Sequence, residues 1–251
     1  PAFTGERDLH YGVSQMMSCL AATQCWFNSR YNLESFVDAA RRLLAKMPDA
    51  KCPRWAETIA ARSRVMPLPL DLPPLPAREP GAKEVPLIVW NHRWEHDKGP
   101  EELFAGLDAL MAQQLPFRIA VVGERFRQVP ACFAEAHARL DASPYATVEA
   151  WGFVESRADY WDLLRRAQLV VSTAQNEFFG ISMMEAAHAG ADLLVPDDLS
   201  YVELFPDACR YPPGQFAEAL VGWVRNRPSP QPACPGLAAP FFAERILPRY
   251  R

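Results

Sequence analysis

Apolar and polar positions along this chain alternate between a helical period and a strand-like one. Residues 10–22 repeat apolar side chains at helical spacing (Tyr11, Val13, Met16, Met17, Leu20), and Cys25-Trp26-Phe27 predicts a short buried strand ending at Asn28-Ser29. Asn32–Leu44 predicts a second amphipathic helix with Phe36, Val37, Ala40 and Leu44 on one face, and Arg64–Leu70 a short strand. This front part reads as the tail end of an α/β unit, too small to hold a sheet without further strands.

Beyond a proline-rich stretch the alternation becomes regular. Strands are predicted at Leu87–Trp90, Phe117–Val122, Thr147–Trp151, Leu169–Thr173 and Asp192–Pro196. Helices are predicted at Pro100–Gln113, about 130–140, Arg157–Ala167, Ile181–Ala189 and Phe216–Arg225. Pro100 near a first turn, followed by Glu101 and Glu102, suits a helix N-terminus. Strands alternating with helices predict a parallel sheet covered on both faces, with ligands at its carboxyl edge. The loops at 91–99, 123–128, 152–156 and 174–180 therefore converge on one side, where chemistry is expected.

Two of those loops carry candidate chemistry. The stretch Ser172-Thr-Ala-Gln-Asn-Glu177-Phe-Phe-Gly180-Ile-Ser182 reads as a strand end, a tight loop and a helix start. Backbone N–H groups at Gly180 to Ser182 would favour an anion such as a phosphate. Glu177 in the loop and Glu185 about two turns into the helix bracket that position, each able to accept hydrogen bonds from hydroxyls. An ordinary strand-loop-helix with two solvated glutamates is equally compatible with this segment alone. The other loop, Asn91-His92-Arg93-Trp94-Glu95-His96-Asp97-Lys98, places Arg93 and Lys98 on the same edge, where two cations stabilise the charge on a departing diphosphate. A loop salt-bridged through Glu95 and Asp97 is the plainer alternative. His92, Glu95 and His96 also fit an H-x-x-E-H zinc pattern, but that chemistry needs both His on one helix face, and here they fall between a strand and Pro100.

Composition narrows the picture a little. No run of about 18 apolar residues suggests a membrane span, and six cysteines without CxxC or regular spacing suggest core thiols in a reduced, cytoplasmic setting. The 24 prolines cluster at 66–80 and 227–240, which read as boundaries. A net charge of −4 does not advertise a nucleic-acid binder. Between Asp38 and Arg64, however, seven basic residues (Arg41, Arg42, Lys46, Lys51, Arg54, Arg62, Arg64) face three acidic ones (Asp38, Asp49, Glu57). That run is either a solvated helix face or a polyanion site.

Arg93 and Lys98, with Glu177 and Glu185, resemble the donor-binding motifs of retaining GT-B glycosyltransferases. The longer segments Asn91–Lys98, Ser172-Thr173-Ala174 and Glu177-Phe178-Phe179-Gly180 look like the tRNA-queuosine mannosyltransferase family. So do Phe27-Asn28-Ser29, Glu34-Ser35-Phe36 and Tyr201–Pro206. The resemblance implies a GT-B-like α/β fold, with residues 1–76 the remnant of an acceptor-side domain and linker. Residues 77–240 would be a complete Rossmann-like nucleotide-sugar domain, and 241–251 a tail returning toward the first. It implies transfer of mannose from GDP-mannose to queuosine in a tRNA anticodon, with no metal or other cofactor. By the same resemblance Arg93 and Lys98 contact the diphosphate, Glu177 holds hexose hydroxyls and Glu185 the ribose. Asn91, His92 and Phe178 line the donor, and the N–H groups of Phe179, Gly180, Ile181 and Ser182 meet phosphate or sugar. Gly123 and Gly152 let backbone approach the nucleotide, and Arg41, Arg42, Lys46 and Arg54 meet tRNA.

The family's first domain starts well before the residues matching Pro1, so the chain reads as a fragment whose acceptor site is incomplete and whose turnover is in question. Two other classes stay open on residue chemistry: a nucleotide-sugar-binding module without catalysis, and a GT-B enzyme for a different donor and acceptor. A dinucleotide oxidoreductase falls behind because no GxGxxG follows any strand. The sequence sets no oligomeric state.

Overall fold

The computed structural model describes residues 9–47, 52, 54–75, 85–125, 129–226 and 236–250. The front unit packs helices α1 (Leu9–Ala21), α2 (Arg30–Ala45) and α3 (Arg54–Ala61) beside two parallel strands, β1 (Cys25–Phe27) and β2 (Ser63–Val65). Ser29 starts α2 by accepting the Asn32 N–H (3.0 Å). Met16, Val37, Ala40, Leu44, Ala56 and Ile59 form its core. Helix α3 goes beyond the expectation from sequence. The expected strand at Arg64–Leu70 shortens to β2, and Leu70 pairs instead with Phe242.

The second unit is a six-stranded, all-parallel sheet. Its strands are β3 (Leu87–Asn91), β4 (Phe117–Val122), β5 (Ala146–Gly152), β6 (Leu169–Val171), β7 (Asp192–Pro196) and β8 (Arg210–Tyr211), in spatial order β5-β4-β3-β6-β7-β8. The chain builds outward from β3 in one direction, then returns past β3 to build outward in the other. Between β3 and β6 the order reverses, and in such sheets the crevice for ligands opens there, at the carboxyl ends of the strands.

Alternate residues of the central strands feed opposite cores. Leu87, Val89, Ala120, Val122, Val170, Leu193 and Val195 pack under α6 (Arg157–Arg166) and α7 (Ile181–His188). Ile88, Trp90, Ile119, Val121, Leu169, Val171 and Leu194 pack under α4 (Pro100–Ala112), α5 (Cys132–Asp141) and α9 (Phe216–Asn226). All five residues of β3 are buried, as a strand covered on both faces requires. At about 1.5–3 kcal/mol for each large apolar side chain fully buried, this sheet holds the crevice walls rigid. Strand β6 stops at Val171, two residues before its expected end, because Ser172 and Thr173 turn into the crevice loop. The two-residue β8 and the one-turn helix α8 (Tyr201–Leu204) are too short to show a period.

The units meet through backbone and carboxylate. Leu70 N–H donates to Phe241 O (2.7 Å) and Ala243 N–H to Leu70 O (2.9 Å), while Tyr250 donates its hydroxyl to Pro67 O (3.1 Å). The Glu203 carboxylate of α8 accepts the N–H groups of Arg30 (2.9 Å) and Tyr31 (3.2 Å) at the start of α2. Among the described residues no helix is long and apolar enough to cross a membrane.

Candidate active site

The loops after β3 and β6 meet over the switch point. Trp90 donates its indole N–H to Thr173 (3.1 Å), Thr173 donates its hydroxyl to Lys98 O (2.9 Å), and Gln175 N–H donates to Asp97 O (2.8 Å). These bonds lock the two loops together before any ligand arrives. Lys98 is 7% exposed; its ammonium donates to Asn176 O (2.7 Å) and lies 3.4 Å from Glu177 and 3.5 Å from Asp97. A cation this buried needs such partners, because taking it out of water costs several kcal/mol.

Glu177 is held at both ends. One oxygen accepts the N–H groups of Phe178 (3.0 Å), Phe179 (3.3 Å) and Gly180 (3.1 Å), and the other faces Lys98. Burial raises its pKa, but the Lys98 ammonium and the backbone N–H groups outweigh burial, so the carboxyl sits below the usual range and stays ionised. This corrects one expectation. Phe179 and Gly180 do not present open N–H groups to an anion, since Glu177 already occupies them. The N–H groups left without a protein partner among the described residues are those of Ile181 and Ser182, at the N-terminus of α7. Glu177 itself is left with one oxygen for a ligand hydroxyl.

His92 is buried, and its pKa is pushed down to about 3, first by burial and then by Lys98 and Arg93, with Glu177 opposing. It is therefore a neutral imidazole, and its Nε2 has no protein partner among the described residues. Arg93 is half exposed and 3.1 Å from Glu95, and Lys98 is 3.5 Å from Asp97, so both ion pairs of the salt-bridged reading form, although Lys98 also turns inward.

Asn91, at the carboxyl end of β3, donates its amide to the Tyr160 hydroxyl (2.9 Å) and to Ser182 O (3.2 Å). Tyr160 donates to Glu185 (2.7 Å), and Arg157 approaches the other Glu185 oxygen at 3.5 Å. Burial raises the Glu185 pKa, while Tyr160 and Arg157 pull against it. Sequence reasoning singled out Asn91 and Glu185 but missed Tyr160 between them. A signal existed: a tyrosine on the apolar side of α6 needs a partner for its hydroxyl.

Two glycines make room for neighbouring segments. A Cβ at Gly123 would lie 1.8 Å from His92 O, so this glycine admits the neighbouring loop. At Gly152 a Cβ would meet the Arg125 guanidinium at 2.3 Å, and Arg125 in turn stacks 4.2 Å over Trp94 and donates to Trp151 O. Residues 126–128 of that loop lie outside the described residues.

The basic run on α2 and α3 stands apart from the crevice network. Arg41 is paired with Asp38 (3.0 Å) and Glu57 (3.4 Å), and Arg62 donates to Leu20 O (3.0 Å). Arg42, Lys46 and Arg54 are exposed. Lys51 lies outside the described residues. Among the described residues no group of three or more His, Cys, Asp or Glu side chains gathers to hold a metal, and His96 of the zinc-like pattern pairs with Glu101 on α4 (3.4 Å).

A reversing parallel sheet, a locked crevice at its switch point and a tail returning to a front unit make up the GT-B fold. Solved structures share it: Anabaena HepE in complex with UDP and glucose has TM-score 0.70 and 18% identity, covering 97% of this chain and 67% of that one. The pneumococcal O-GlcNAc transferase GtfA in complex with UDP and GlcNAc has TM-score 0.68 and 14% identity, covering 96% and 46%. At these identities the likeness concerns the fold alone.

Residues 75–209 match the group 1 glycosyl transferases, and residues 3–70 match the N-terminal part of tRNA-queuosine alpha-mannosyltransferase. The chain belongs to the group 1 glycosyl transferases, and its front unit is similar to the N-terminal part of the tRNA-queuosine mannosyltransferase family. The Drosophila melanogaster tRNA-queuosine alpha-mannosyltransferase is 33% identical over 210 residues, which cover 80% of this chain and 54% of that protein. The chain thus spans about half the length of this curated relative.

Proposed function

We propose that this protein is a retaining glycosyltransferase that moves mannose from GDP-mannose to queuosine in a tRNA anticodon, in the cytoplasm. The observation that carries the reading is the buried Lys98–Glu177 pair at the switch point of the sheet, 3.4 Å apart. A cation fixed in a low-dielectric crevice stabilises the negative charge that develops on a departing diphosphate, and needs no reorganisation to do so. Arg93 lies at the mouth of the same loop and adds a second, solvent-exposed cation. Neutral His92 and the N–H groups of Ile181 and Ser182 are the polar groups left over for phosphate and sugar oxygens. Glu185, across α7, takes the ribose hydroxyls.

Mannose and queuosine come from the relative's name and the family resemblance; the residue chemistry favours a sugar diphosphate without choosing its base. The proposal includes a metal-free reaction, with Lys98 and Arg93 supplying the positive charge. It also assigns residues 1–76 to the end of an acceptor-side unit, 77–240 to the donor unit and 241–251 to a return tail. Arg42, Lys46 and Arg54 are the cations offered to tRNA.

The test is a donor screen on the full-length protein, with queuosine-containing tRNA as acceptor and chelator present. Incorporation from GDP-mannose is expected. Incorporation only from a UDP-sugar, or only into a non-RNA acceptor, overturns the specific assignment. By calorimetry, Glu185→Ala should weaken GDP binding by about 1.5–3 kcal/mol, the value of a hydrogen bond to a charged group; unchanged binding removes Glu185 from the site.

A further inference from the structure

Glu185 lies in the second turn of α7 with only 12% of its side chain exposed, and what holds it is not on its own helix. The Tyr160 hydroxyl on α6 donates to Glu185 Oε2 at 2.7 Å. That hydroxyl is itself oriented by Asn91, whose amide donates to it at 2.9 Å from the end of β3. The second Asn91 amide hydrogen goes to Ser182 O (3.2 Å), in the first turn of α7. One side chain at the switch point therefore sets both the start of α7 and, through Tyr160, the carboxylate one turn further on. With Oε2 occupied, Oε1 is the oxygen left for a ligand, and the exposed Arg157 guanidinium approaches it at 3.5 Å.

We propose that Tyr160 is a positioning residue of the donor site, whose hydroxyl, held by Asn91, fixes the Glu185 carboxylate so that Oε1 accepts the vicinal hydroxyls of the donor's ribose. The inference rests on the donor reading given above and deepens it. The bond also sustains the carboxylate's charge. Burial raises the Glu185 pKa, the Tyr160 hydrogen bond is the largest opposing cause and Arg157 the next. Among the described residues, those two groups of α6 are the titratable or charged groups that act on Glu185. Without the hydroxyl, Glu185 takes up its proton at higher pH and loses its capacity to accept.

The experiment measures GDP and 2′,3′-dideoxy-GDP binding to the full chain across pH for wild type, Tyr160→Phe, Glu185→Gln and the double variant. Wild type should prefer GDP over the dideoxy analogue. Tyr160→Phe should weaken GDP binding about tenfold, leave the analogue unchanged, and move the acidic loss of GDP binding to higher pH. Added to Glu185→Gln, it should cost nothing further. In turnover, KM for the nucleotide sugar should rise with kcat nearly constant, as for a contact made equally in ground and transition states.

A tyrosine that merely packs would weaken GDP and analogue alike, leave the pH profile in place and add to Glu185→Gln; that outcome overturns the proposal. Wild type failing to bind GDP, or binding both ligands equally, rejects the donor reading instead, so the two failures are told apart.

Discussion

Two groups of cations on this molecule look alike in sequence and differ in their surroundings. Lys98 is 9% exposed along its side chain, sits between Glu177 and Asp97, and donates to a carbonyl of the facing loop. Arg41 is 53% exposed and pairs with Asp38 and Glu57 on the surface of α2 and α3. The crevice keeps its charge where water cannot screen it, so each partner matters to both stability and ligand affinity. The helix face keeps its charges in water, where pairing adds little and long-range attraction is what remains. The lesson is that a count of basic residues says nothing until burial is known.

Lys98→Ala leaves the Glu177 carboxylate half-satisfied beside a buried imidazole. It should cost about 3 kcal/mol of stability, read as a lower denaturant midpoint at unchanged slope; a loss no larger than that of a surface pair would put Lys98 in the same class as Arg41.

Acid sharpens the contrast next. The folded pKa of His92 is about 3, below the ordinary histidine value. A depressed folded pKa means that the unfolded chain binds the proton first. Stability is therefore full above about pH 6.5 and falls as pH drops toward 3, by about 1.4 kcal/mol per pH unit at its steepest. Glu177, also depressed, adds its own loss below the ordinary carboxylate range. Chemical denaturation across pH should show His92→Gln with a shallower fall between pH 6 and 4, and parallel curves for the two proteins would contradict the buried neutral imidazole.

The smallest effect belongs to the surface. Arg41→Ala should shift stability by less than about 0.5 kcal/mol. Charge reversal at Arg42 and Lys46 should leave folding alone and weaken tRNA binding more at low salt than at high. Gel-shift affinity that is unchanged across salt would take this face out of the proposed function.

Much of this architecture was legible because its causes are local. A strand buried on both faces shows as an unbroken apolar run, as at Leu87–Trp90 and Phe117–Val122, and the helices between show the 3.6 period. The short pieces were not legible: Arg210–Tyr211 and Tyr201–Leu204 owe their form to neighbours, and α3 is only eight residues long. Among the site residues, Lys98 and Glu177 stood out as charges in loops expected on one sheet edge, and Glu185 as a charge on the helix that follows one of them. Their bonding could not be read. That Glu177 would fill the N–H groups of its own loop, and that Gly123 and Gly152 would make room for His92 and Arg125, depends on a fraction of an ångström in the approach of distant segments.

By itself, then, the sequence determined the strand and helix alternation, the sheet edge on which the polar loops converge, and the motifs that place the chain among glycosyltransferases. Those follow from side-chain period and from residue types at short spacing. Only the tertiary structure decided which charges are buried, which N–H groups remain open, and that Tyr160 stands between Asn91 and Glu185. Those partners are 69 and 25 residues from Tyr160 along the chain, and only the packing of α6 and α7 on the sheet brings them within a hydrogen bond.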